Sequence, residues 1–378
     1  MKNRTIFGRA RQGVLFAGMA SLLVAGCGTH LSAESRAWAA KQSTNGSLDT
    51  LARAAKAEGT LTIFTPIVSS EILEWTKSFT GEYGIKVDVF RQASGPLATT
   101  YKTEIAAGKV QADIFETSNL DQVHGFVDDG SFARYRPQAA DEYPADRTVP
   151  GYAYPLYEST GAIAWNTRTV PESTQKLLAK DPYQGLLDPA LKGKIVLIDP
   201  SVGGSGMAYY ANLVKHLPDR YGWDYLRKLG RQKPAVATSI QTISQEISAG
   251  AYSATIFGDD SIFGPLALSG APVRFASTSP MNATLFYQGI AAEAPHPAAA
   301  RLFAEWAQSH GGQEAMTRAT GGSSVMAGWS DDRDFATELP WYRRPEEVWL
   351  DWQTDPTLTG KGLADFVAQW KQSIRGSS

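Results

Sequence analysis

Three short apolar runs constrain this chain more than any other feature, because each is followed by a polar turn and then by a helical pattern. TLTIF at 60–64 reads as a buried strand. The turn TPIVSS at 65–70 leads into a helix with apolar positions Ile72, Leu73, Trp75, Thr76 and Phe79 and with Ser69 or Ser70 as its cap. IKVDVF at 85–90 alternates as a second strand, and RQASGP at 91–96 leads into a helix over 97–107. ADIF at 112–115 is a third strand, followed by ETSN at 116–119. A helix over 51–58, closed by Gly59, precedes the set. The order βαβαβ predicts an α/β sheet with right-handed crossovers. Ligands bind beyond the carboxyl ends of such strands, where the three polar segments would gather, each offering free backbone N–H groups at a helix start.

A second set begins near Ile163. IVLI at 195–198 reads as a buried strand, DPSVGGSG at 199–206 as a glycine-rich turn, and 207–217 as an apolar helix. A strand over 251–257 ends in Gly258, Asp259 and Asp260. Two α/β units in one chain predict a cleft between them. The length agrees: single cores stop growing at roughly 250–300 residues, and the chain has 378.

The chain opens on Lys2, Arg4, Arg9 and Arg11, then an apolar run over 13–25 ending in Val24, Ala25, Gly26 and Cys27. This is the layout of a secretory signal, and the run is short of the about 20 residues that span a bilayer. The last four residues resemble a bacterial lipobox. That resemblance implies a signal peptide over 1–26 and acylation of Cys27 by chains such as palmitate. It further implies a lipidated tether over 27–49 and a protein anchored to the membrane in the periplasm or at the cell surface. Cys27 is the only cysteine, so no disulfide forms within the chain and no thiolate metal site exists. There are 36 basic residues against 38 acidic ones, and four of the basic ones fall in the leader. The remainder is acidic, which argues against a nucleic-acid partner.

Six stretches carry a resemblance: AKAEGTLTIFTP (55–66), FTGEYGIKVDVF (79–90), AAGKVQADIFETSN (106–119), STGAIAWNT (159–167), LLDPALKGKIVLIDPSVGGSG (186–206) and APHPAAARLFAEWAQSHGGQEA (294–315). In this order the chain resembles the extracellular solute-binding proteins of bacterial ABC importers, in the branch that holds ferric-iron, thiamine and phosphonate binders. The resemblance implies a type 2 periplasmic binding protein, α/β, with two Rossmann-like lobes joined by two hinge strands near 151–165 and 275–290. Lobe one is then 50–155 plus 281–340 and lobe two 160–278. The segment 341–378 ends in a helix with one apolar stripe, Leu363, Phe366, Val367, Trp370 and Ile374, packing on a lobe. The resemblance also implies a monomer that hands a small solute to a membrane permease without covalent chemistry. A ligand-sensing lipoprotein of a signalling system would share these residues, and an envelope enzyme on the same fold is a third reading.

Glycines 203, 204 and 206 around Ser205 would let backbone N–H groups at a helix N-terminus approach an anion. Arg91 could clamp the same anion bidentately. Thr65, Ser94, Thr117, Ser118, Asn119 and Ser159 supply neutral hydrogen-bonding groups, and Tyr157 could cover the ligand. Asp259 would suit the amine of a zwitterion. The expected ligand is therefore a small organic anion or zwitterion: a phosphonate, phosphate ester or carboxylate. Ferric-binding relatives place a histidine after the first strand, a glutamate after the third and paired tyrosines in lobe two. Here TPIVSS has no histidine, Ser118 stands at the glutamate position with Glu116 nearby, and IFGDD replaces the tyrosines. Tyr209 and Tyr210 lie inside a helix and read as packing residues. Iron held by Glu116, Asp259 and Asp260 is the alternative; otherwise neither metal nor cofactor is expected. No Gly-x-Ser-x-Gly elbow and no HExxH motif occurs.

Overall fold

The structure is a computed structural model describing residues 48–202, 204–350, 352, 355–358 and 360–376. The leader, Cys27, most of the tether and Gly203 lie outside the described residues. In chain order the strands are β1 (Thr60–Thr65), β2 (Lys86–Arg91), β3 (Ile114–Thr117), β4 (Ala153–Asn166), β5 (Ile195–Ile198), β6 (Ala235–Ala237), β7 (Ala254–Asp259), β8 (Val273–Ala276), β9 (Met281–Ile290) and β10 (Val348–Trp349). The longer helices are α1 (Leu48–Glu58), α2 (Ser69–Tyr83), α3 (Ser94–Ala106), α4 (Leu120–Asp128), α5 (Glu172–Lys180) and α6 (Gly204–His216). After them come α7 (Trp223–Arg231), α8 (Ile240–Ala249), α9 (Asp260–Leu268), α10 (Pro297–Ala307), α11 (His310–Thr320) and α12 (Gly360–Arg375).

Strand order is β2-β1-β3-β9-β4-β7-β5-β6. β1 lies parallel between β2 and β3, as the βαβαβ pattern requires. Along β1 the side chains alternate between two cores. Leu61 and Ile63 join Trp75, Phe79, Phe303 and Trp306 on one face, while Phe64 joins Tyr101, Phe115 and Phe126 on the other. The second lobe is built around Trp165, the four residues of β5, Tyr210, Leu226, Ile243, Ile256 and Phe263.

β4 joins the two. All fourteen of its residues are buried. Residues 153–160 pair antiparallel with β9, whereas 161–166 pair with β7 and β8. β9 returns from the second lobe to pair with β3 and β4. The chain thus crosses between lobes at β4 and again at 276–281, the two-hinge arrangement of a type 2 binding protein.

Three local expectations need correction. Helix α2 begins at Ser69, its N-cap is Val68, and no side chain caps it, so neither serine has the cap role. Leu73 is 50% exposed and lies off the apolar face formed by Ile72, Trp75, Thr76 and Phe79. In α12 the stripe divides: Trp370 and Ile374 enter the second core, with Trp370 centred 5.2 Å from Tyr210 and Phe366 5.2 Å from Trp223. Gly230 permits that contact, since a Cβ there would stand 2.6 Å from the Ile374 carbonyl oxygen. Leu363, one turn earlier, turns away to the cleft.

Candidate functional site

A cleft of about 590 Å³ lies beyond the carboxyl ends of β1, β2, β3, β5, β6 and β7, between the two lobes. Its first wall carries Glu71, Arg91, Ser94, Ser118, Asn119 and Gln122, and its second Ser201, Gly204, Ser205, Gly206, Ser239, Gln241 and Asp259. The hinge strands give the floor: Tyr157, Ser159 and Phe286.

Ten of the twelve expected ligand residues line this cleft, and Thr65 and Thr117 lie beneath it. The Thr65 hydroxyl accepts from the Ile67 N–H at 3.0 Å, fixing the turn after β1. The Thr117 hydroxyl donates to Gln122 at 2.7 Å and accepts from the Asn119 N–H at 3.1 Å. Their work is to shape the loops. Asn119 does double duty, since its side chain accepts from the Gln122 N–H and caps α4.

Ser94 and Ser118 stand hydroxyl to hydroxyl at 3.1 Å, at the starts of two helical segments of lobe one. Gly204 opens α6 of lobe two with φ +55°, and a Cβ on it would lie 3.6 Å from the Ser118 hydroxyl oxygen. The lobes therefore come close at this point, and two helix N-termini face one space. That concentrates unpaired N–H groups and the positive ends of two helix dipoles. Gly206 has a different reason. A Cβ there would stand 2.8 Å from Val202 and 3.1 Å from Ile198, so this glycine lets α6 lie close on β5. Arg91, exposed at the end of β2, donates to the Pro66 carbonyl at 3.4 Å.

Two carboxyls oppose one another across the cleft. Asp259, 8% exposed at the end of β7, is pushed up to about 7 by burial and by the adjacent Asp260, with Tyr209 and Ser159 acting the other way. Glu71, in the first turn of α2, is pushed up to about 8 by burial and by Asp259, partly offset by Arg91. Each wall thus contributes an acid that resists ionisation in the cleft. Glu71 escaped the sequence analysis because an acid in a first helical turn ordinarily serves the helix dipole. Its place directly after the first strand's polar turn was the available signal.

Asp260 belongs to the scaffold. It accepts from the Thr160 N–H at 3.0 Å, from Arg333 at 3.0 Å and from the Tyr342 hydroxyl at 2.9 Å, all buried. Arg333 also holds the Gly321 carbonyl at 2.8 Å and the Asp331 carboxylate. Tyr157 stacks on Phe286 with centroids 4.4 Å apart, presenting an aromatic floor. Glu116 is fully buried below the cleft and neither carboxyl oxygen has a hydrogen-bond partner. Burial pushes it up to about 8, and Thr65 opposes that shift without reaching hydrogen-bond geometry. Tyr209 and Tyr210 are buried, their hydroxyls donating to the carbonyls of Gly258 and Ile198. His296 holds the buried Asp113 through its backbone N–H and its ring, a turn-fixing role. Among the described residues no three His, Cys, Asp or Glu side chains gather into a metal-binding group.

Leu358, Gly360 and Leu363 complete the cleft; the sequence pattern marked only Leu363, and as a packing residue. They come from the segment after β10, which crosses α6. There Trp352 and Leu358 pack on Met207, Ala208 and Ala211. The Trp352 indole donates to the Ala283 carbonyl at 2.9 Å, and Asp355 pairs with Lys215 at 2.9 Å.

The same architecture occurs in solved structures. Iron-bound HitA from Pseudomonas aeruginosa superposes with a TM-score of 0.62 at 18% identity, covering 83% of this chain and 99% of its own. AfuA from Actinobacillus pleuropneumoniae, with fructose-6-phosphate bound, gives 0.62 at 20% identity, covering 84% and 99%. An uncharacterized protein of Haemophilus influenzae is 26% identical over 270 residues, 69% of this chain and 76% of that protein. The family model described as bacterial extracellular solute-binding protein matches residues 74–340, well over half the chain. With the two-lobed fold and the interlobe cleft, this match shows that the chain belongs to the bacterial extracellular solute-binding proteins, the receptors of ABC importers.

Proposed function

We propose that this receptor captures a small zwitterion, an acid group and an ammonium on one compact body, and delivers it to its permease while tethered to the membrane through acylated Cys27. The observation that carries the reading is the opposition of Glu71 and Asp259 across a cleft that also holds Arg91 and the N-termini of α3 and α6. The acid group of the ligand sits among Ser94, Ser118, Gly204, Ser205 and Arg91, where charge-assisted hydrogen bonds are strong. The ammonium sits between the two carboxyls and draws both into their ionised form. Closure is then a population shift: the ligand favours the closed arrangement because only there do both walls reach it. Without ligand, closing brings two acids together, so the empty receptor favours opening as pH rises.

Calorimetric titration with 1-aminoethylphosphonate and ethylphosphonate at pH 8 tests this. The amine-bearing compound is expected to bind at least about 10-fold tighter, since a hydrogen bond to a charged group contributes roughly 1.5–3 kcal/mol. Equal affinity, or weaker binding of the amine, overturns the reading. Ferric citrate serves as the control for iron: a coloured complex of higher affinity than either phosphonate would replace the zwitterion by a metal. Anchoring is tested separately by Cys27→Ser, expected to move the protein from the membrane fraction to the soluble periplasmic fraction.

A further inference from the structure

We infer that the C-terminal strap carrying Trp349, Trp352, Leu358 and Leu363 is a specificity element that selects solutes carrying a compact apolar group beside their charged head. The inference rests on the zwitterion reading for the head and adds the chemistry of the body. The strap follows the last residue matched to the family model, at 340. It is held to α6 of lobe two and to the hinge strand β9. Trp349 stacks on His216 at 4.7 Å, β10 pairs with β9 at Met281 and Asn282, and Trp352 and Asp355 are tied to Ala283 and Lys215. Beyond it, α12 is anchored by Trp370 and Ile374. The strap therefore links the hinge strand β9 to α6, whose N-terminus faces the cleft.

What the strap offers the cleft is apolar. Leu358 is 9% exposed, seated against Met207 and Ala211, and Leu363 is half-buried. Ile198, Val202 and Ile240 continue the same lining. Burying a ligand methylene there is favourable by the ordinary transfer of apolar surface from water, roughly three- to fourfold in affinity per methylene. A purely polar solute would gain nothing from these two leucines and would strand water against them. A residue that only held the strap in place would leave ligand selectivity unmoved, which separates a structural role from the one proposed.

The test uses the full chain and two homologous series: n-alkylphosphonates from methyl to butyl, and the 1-amino derivatives of the same lengths. In the wild type, affinity is expected to rise roughly threefold per methylene in both series until the cleft is full. Leu363→Ala and Leu358→Ala should flatten that rise while leaving the shortest member of each series within about twofold. Leu358→Met, which keeps the volume, should preserve it. Circular dichroism and urea midpoints of each variant establish folding, and the half-buried Leu363 carries the test if Leu358→Ala fails to fold. An unchanged length dependence in a folded variant overturns the inference, as does a wild type indifferent to chain length. The amine comparison is read across the two series at fixed length, so failure of the zwitterion reading shows on that axis alone. Absence of millimolar binding by every member would overturn both.

Discussion

Replacing Asp259 by Asn should change how the empty receptor's stability depends on pH. The carboxyl is raised from 3.8 to about 7 in the folded protein. A group whose folded value exceeds its unfolded value stabilises fully below the unfolded value, and that contribution is lost as pH rises through the folded one. For Asp259 the window therefore runs from about pH 4 to about pH 7. Each pH unit inside it corresponds to about 1.4 kcal/mol for one proton. Between pH 5 and pH 7 the wild type should lose about 2 kcal/mol that the Asn variant keeps. The side chain is 8% exposed, so solvent screening does little to reduce this. The assay is urea unfolding of ligand-free protein at pH 5, 6, 7 and 8, comparing wild type and variant at each pH. With a slope of about 3 kcal/mol/M for a chain of this size, the relative midpoint should move by roughly 0.6 M. The variant also removes the charge that raises Glu71, so the titration of Glu71 should move down. Parallel stability curves from pH 5 to pH 7 would refute the argument, because they would mean that Asp259 ionises as easily in the cleft as in the unfolded chain.

Arg333→Met should destabilise by about 3–5 kcal/mol, because it leaves Asp260 buried without its cation; adding Asp260→Asn should recover most of the loss, read from urea midpoints. Arg91→Ala should weaken an anionic phosphonate roughly 10- to 100-fold, measured by calorimetry, with little effect on unfolding because the guanidinium is exposed. Gly204→Val places a β-branched side chain at φ +55° against Ser118; affinity for the same phosphonate should fall by at least about 10-fold, mainly because the lobes no longer meet.

The fold was legible because its signals are local. Apolar runs of four to six residues bounded by glycine or polar turns gave β1, β3 and β5, and the order of strand and helix gave the parallel arrangement around β1. Gly84 ends α2 in a left-handed conformation, as a helix-closing glycine should. Facing directions were harder. Leu73 and Ile72 are neighbours in sequence, yet only Ile72 reaches the core. The stripe of α12 was visible, but periodicity does not reveal that Leu363 serves a different surface from Trp370. The cleft was legible where a loop at a strand end carries a polar residue. It was illegible where the effect is collective: Glu71 acquires its character from Asp259, almost two hundred residues away, and Gly206 is needed by Ile198 and Val202 more than by any ligand.

The return of β9 sets the order in which this molecule can assemble. Most of the second core comes from residues between 162 and 281, but Phe335, Tyr342, Trp370 and Ile374 complete it. The sheet of the first half likewise waits on late chain, because β3 lacks one of its two neighbours until residues 281–290 arrive. Until then β3 presents an open row of backbone donors and acceptors, the kind of edge that invites association with other chains.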